Sequence, residues 1–137
     1  MIVADTGAVF ALLHADERPH SDVLALYRGD PDAWVLPWAI LPEVDYLLQA
    51  RGGVGASQAF LAELAEGAWA VEWGSDGDFE RAHALNRQYR ALKLGLVDAV
   101  VMAIAERLKA QAIATLDLKH FGAVKLAGAP RLLPRDL

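Results

Sequence analysis

The 137-residue sequence contains no cysteine. Disulfides and thiolate metal sites are thereby excluded, and any bound metal must be held by oxygen or imidazole. A long apolar run is also missing. The longest, around Val97 to Ala105, is interrupted by Asp98, which leaves nothing suited to spanning a bilayer. The opening residues Met1 to Asp5 show neither a basic stretch nor a cleavage-site pattern, so they are expected to be part of the mature chain. A cytoplasmic protein with no membrane association is the expectation. Basic excess is lacking too: the net charge is -5, which disfavours bulk electrostatic attraction to nucleic acid and suits a basic partner.

Apolar residues are plentiful, at 55% of the chain. That supports a buried core in a single domain over residues 1–137 and argues against disorder. Short β-prone runs alternate with helical patterns. Ile2-Val3-Ala4, Trp34-Val35-Leu36, Trp69 to Trp73 and Ala112 to Leu116 read as strands, with a further edge strand within Val124 to Leu133. Between them the spacing predicts helices. One follows Gly7, and a second begins at His20 or Ser21 and stops at Gly29-Asp30-Pro31. A third carries Pro42 in its first turn, and a fourth spans Ser57 to Glu66 with Phe60, Leu61 and Leu64 inward. A fifth runs from about Asp78 to Arg90, with Phe79, Ala82, Leu85 and Tyr89 along one side. The last runs from Val97 to Ala110. Such alternation predicts an α/β fold, a three-layer α/β/α arrangement around a mostly parallel sheet.

In parallel sheets, sites form beyond the carboxyl ends of the strands. Asp5 ends the first strand and Asp117 follows a late one, while Glu43 and Asp98 fall near helix N-termini, which favour ionised carboxylates. Each has an ordinary reading as well. Asp5 fits a helix cap, Glu43 first-turn helix chemistry, and Asp117 a polar loop. Asp98 is different, because it breaks an otherwise apolar segment and there needs a partner or a ligand. Four acids converging on one region repel one another, and a hard divalent cation relieves that repulsion. Asp5 and Asp98 are expected as direct ligands of Mg²⁺ or Mn²⁺, with Glu43 and Asp117 acting partly through water or a second metal. Thr6 and Thr115 flank two of the acids and are expected to orient a carboxylate or a bound water. A metal so held suits phosphodiester hydrolysis.

These residues resemble those of a known family. Val3-Ala4-Asp5-Thr6-Gly7, Leu41-Pro42-Glu43-Val44, Leu94-Gly95-Leu96-Val97-Asp98-Ala99 with Ala103 to Leu108, and Ala114-Thr115-Leu116-Asp117 with His120-Phe121 are similar to the motifs of PIN-domain ribonucleases. Within that family they resemble VapC-type toxins of type II toxin–antitoxin modules. The likeness covers nearly the whole chain. It implies a PIN-like fold and an endoribonuclease dependent on Mg²⁺ or Mn²⁺, with Asp5, Glu43, Asp98 and Asp117 as the acidic quartet. It also implies an RNA substrate, a homodimer and a small VapB-like antitoxin that covers the site, often inserting a basic residue. Relatives often carry another acid before the Leu-Gly-Leu stretch, whereas Tyr89 to Lys93 here holds none. Lys119 stands where some relatives have arginine, keeping the charge without the bidentate geometry.

Other polar and aromatic residues have plainer readings. His14, His20 and His83 are expected at the surface, and His120 either touches RNA or packs beside Phe121. Trp34, Trp38, Trp69 and Trp73 are expected in the core or a subunit interface. Two alternatives compete with the nuclease. One is a phosphohydrolase using Asp5 as nucleophile, which Thr6-Gly7 disfavours because such chemistry usually has a second acid two positions on. The other is a non-catalytic acidic binding module.

Overall fold

A computed structural model describes residues 1–137. Five strands form one parallel sheet in the order β3-β2-β1-β4-β5: β1 (Ile2–Ala4), β2 (Trp34–Pro37), β3 (Ala70–Glu72), β4 (Ala112–Ala114) and β5 (Arg131–Leu133). The central strand β1 and its neighbour β4 are buried throughout, as a sheet covered on both faces requires.

The helices are α1 (Thr6–Leu13), α2 (His20–Gly29), α3 (Leu41–Gly52), α4 (Val54–Ala65), α5 (Asp76–Gln88), α6 (Gly95–Arg107) and α7 (Leu118–Phe121). The connections from β1 to β2 and from β2 to β3 step one way across the sheet, and those from β3 to β4 and from β4 to β5 step the other way. Right-handed crossovers therefore place α1 to α4 on one face and α5 to α7 on the other. The packing agrees: α1 meets α2 and α3, α3 meets α4, and α5 lies along α6. The expected three-layer α/β/α fold is the one observed.

α6 fills the middle of its layer. Ala99 to Ala105 are buried without interruption, so this helix is apolar all round and not merely on one face. Its far end is tied down by Arg107, which donates from Nε to Asp78 Oδ1 at 2.7 Å and from Nη2 to Glu72 Oε1 at 2.7 Å. Asp78 also closes a capping box with Ser75 at the start of α5, so one carboxylate joins a helix start to a helix end.

Several local expectations shift. α1 starts at Thr6, ahead of Gly7, and α4 starts at Val54, ahead of Ser57. Leu61 is 49% exposed and Phe79 53% exposed, so neither faces the core. Phe79 instead rests against Trp38, ring centroids 5.9 Å apart. Of the tryptophans, Trp34 is buried while Trp73 stands largely in solvent. Asp117 is no plain loop residue: it caps α7, accepting from the His120 N–H at 3.0 Å.

Candidate active site

The strand order reverses direction between β1 and β4, and in parallel sheets the crevice at such a switch point is where ligands bind. The chain delivers Asp5 directly after β1 and Thr115 directly after β4. The sheet pairing continues there, with the Asp5 N–H donating to Ala114 O at 2.9 Å and the Thr115 N–H to Leu133 O at 3.0 Å. Both side chains are buried.

Asp5 occupies the N-cap position of α1 yet makes no side-chain cap bond, so the ordinary reading of this acid fails. Its Oδ2 accepts from the Thr115 hydroxyl at 3.0 Å. Its Oδ1 is buried with no hydrogen-bond partner. Burial, followed by the charges of Asp98 and then Asp117, pushes this carboxyl up to about 7, against the lowering pull of the Thr6 N–H and the Thr115 hydroxyl.

Asp98 lies in the first turn of α6. Burial also raises its pKa, and Asp117 and Glu43 add repulsion, while His120 opposes them. The fold holds the four expected acids within reach of one another's charge despite that repulsion: Asp5 feels Asp98 and Asp117, and Asp98 feels Asp117 and Glu43. Glu43, in the first turn of α3, accepts from the Thr6 hydroxyl at 2.6 Å. Thr6 thus orients Glu43, not the Asp5 beside it in sequence. Thr115 serves two acids, since its hydroxyl oxygen also accepts the Asp117 N–H at 3.0 Å.

One member of the cluster was poorly marked in the sequence. His120 Nδ1 stands 2.6 Å from Asp98 Oδ2 and 3.2 Å from Asp117 Oδ2. Its pKa is raised, chiefly by the hydrogen bond to Asp98. Asp98, Asp117 and His120 each offer a donor atom, all within 4.8 Å of one another; Asp5 and Glu43 complete the surroundings. The spacing from Asp117 to His120 across a helix start was the available clue, because residues three apart on a helix share a face.

The donors suit a divalent cation of oxygen or borderline preference, having carboxylates and an imidazole but no thiolate. The unpartnered Asp5 Oδ1 supplies a structural reason as well. A buried carboxylate oxygen with no donor costs free energy, and a cation removes that cost.

Comparison with known proteins matches these features. The model of the PIN domain family fits residues 2–125. Ribonuclease VapC26 of Mycobacterium tuberculosis is 34% identical over 130 residues, spanning 95% of this chain and 96% of that protein. Among solved structures, M. tuberculosis VapC20, described as a sarcin–ricin-loop-cleaving toxin, superposes with a TM-score of 0.82 at 23% identity. That match covers 93% of this chain and 98% of the VapC20 chain, and at this identity it speaks for the fold.

Proposed function

The chain belongs to the PIN-domain family and, within it, to the VapC ribonucleases, and from that membership we propose that it is a divalent-metal-dependent endoribonuclease serving as the toxin of a toxin–antitoxin pair. The observation that carries the site assignment is the buried, unpartnered Asp5 Oδ1, whose carboxylate feels Asp98 and Asp117.

Asp5, Asp98 and Asp117 would hold the ion, Mg²⁺ or Mn²⁺, with Glu43 at its edge. When bound, such a cation supplies charge neutralisation at the phosphoryl oxygens and a more acidic water. The chain's own residues do the positioning. Thr115 fixes Asp5 and the Asp117 turn together through one hydroxyl. Thr6 occupies one oxygen of Glu43 and leaves the other, on an exposed residue, to orient an attacking water. Lys119 is exposed beside the site, available to a neighbouring backbone phosphate.

The partner in this reading is a VapB-like antitoxin, whose basic residue would meet the acid cluster, in keeping with the net charge of -5. The same reading includes a homodimer and action in the cytoplasm. No helix is long and apolar enough to cross a membrane.

The test is RNA cleavage by purified protein with Mg²⁺ or Mn²⁺, and with chelator. Wild type should cut only with metal, and Asp5→Asn and Asp98→Asn should each lose more than about a hundredfold. Undiminished cleavage in both variants, or none by wild type with either ion, refutes the nuclease. For the toxin role, expression should arrest growth and a co-expressed antitoxin should relieve it; unimpaired growth refutes that role alone.

A further inference from the structure

The family motif supplies four carboxylates, but the geometry adds a nitrogen. We infer that His120 is itself a metal ligand through Nδ1, alongside Asp98 and Asp117, and that it tilts the site toward Mn²⁺ over Mg²⁺. This inference rests on the metal-dependent reading above and extends it to a residue outside the acidic quartet.

Three observations support it. The first is donor spacing. An octahedral cation with bonds of about 2.1 Å places adjacent ligand atoms roughly 3 Å apart. His120 Nδ1 lies 2.6 Å from Asp98 Oδ2 and 3.2 Å from Asp117 Oδ2, separations that bracket this edge. The ring needs no large swing to become a ligand; exchanging its Nδ1 proton for the cation suffices.

The second is restraint. The His120 backbone N–H donates to Asp117 Oδ1 at 3.0 Å, so histidine and aspartate are held to each other by the same short turn that carries both.

The third is the buried Asp5 Oδ1, which has no partner and belongs to a carboxylate that feels both Asp98 and Asp117. It points to a ligand in this crevice independently of the histidine. An all-oxygen site suits Mg²⁺, whereas one imidazole favours a softer first-row ion. Mn²⁺, a first-row ion, tolerates an imidazole nitrogen better than Mg²⁺ does.

Pulsed EPR on the Mn²⁺-loaded protein tests the assignment, because a directly bound imidazole nitrogen gives a ¹⁴N modulation that carboxylates and water do not. Wild type should show it, and His120→Ala should bind Mn²⁺ without it. Titration of each protein with Mn²⁺ and with Mg²⁺ gives the second readout. The preference for Mn²⁺ should fall by about tenfold or more in His120→Ala. His120→Asp, restoring an oxygen donor, should recover affinity for Mg²⁺ but not the nitrogen signal. Mn²⁺ bound to wild type with no nitrogen coupling overturns the ligand role and leaves the carboxylate site standing. Failure of wild type to bind Mn²⁺ at all overturns both.

Discussion

Thr115 donates its hydroxyl to Asp5 across a sequence separation of 110 residues, at 3.0 Å and fully buried. The same oxygen accepts the Asp117 N–H, so one hydroxyl sets the distance between the acid after β1 and the acid after β4. Thr115→Val keeps the shape and removes both bonds. It should lower stability by about 1–3 kcal/mol, because buried polar groups are left unpaired, and should slow cleavage. Thr115→Ser should restore most of both losses. Urea unfolding and cleavage rates on the three proteins check this; a Val variant matching wild type in both would refute the pairing role.

The raised carboxyl of Asp5 makes a prediction with a definite sign. Its folded value of about 7 stands above the ordinary carboxyl value of 3.8, so the folded state holds this proton longer than the unfolded state does. The resulting penalty is absent below the unfolded value, grows as pH rises between the two, and is complete above about 7. It amounts to at most about 4 kcal/mol. Metal-free Asp5→Asn should therefore melt several degrees above wild type at pH 8, with the gap shrinking toward pH 4. Added Mn²⁺ should raise the melting temperature of wild type far more than that of the variant. Thermal scans across pH, with and without metal, read this directly, and a gap independent of pH would refute it.

Arg107 separates stability from activity. It neutralises the buried Asp78 and also pairs with Glu72, at the end of α6 remote from Asp98. Arg107→Met should leave the Asp78 carboxylate buried without its cation and cost about 3 kcal/mol. Metal affinity and cleavage per folded molecule should stay near wild type. Denaturation together with metal titration distinguishes this from a contribution to the site, which would weaken metal binding as well.

The parts of this architecture legible in the sequence share one physical origin. An apolar β-prone run ending in an acid, such as Ile2-Val3-Ala4-Asp5, signals both the strand and the edge where its last side chain emerges. Asp98 stood out because a charge beside the uninterrupted apolar face of α6 requires a partner. What stayed hidden depends on tertiary geometry. Nothing local to Thr6 indicates that its hydroxyl turns to Glu43, 37 positions away. Leu61 and Phe79 fit apolar periodicities, yet their exposed sides follow from which neighbouring helices cover them. His120 looked like a loop residue because α7 is only 4 residues long, too short for periodicity to register. Its part in the cluster emerges only once Asp98 arrives from the other side.

In the proposed mechanism Asp5, Glu43, Asp98 and Asp117 act as one cation-holding unit that cuts RNA. Single-turnover cleavage at saturating Mn²⁺, measured for the four single amide variants and for the Asp5→Asn/Asp98→Asn double variant, tests it most directly. Residues that serve one unit lose activity non-additively. The double variant should be no slower than the worse of its two parents, with all four single variants severely impaired. Losses that multiply in the double variant, or near-wild-type cleavage after Asp98→Asn or Asp117→Asn, would contradict the account.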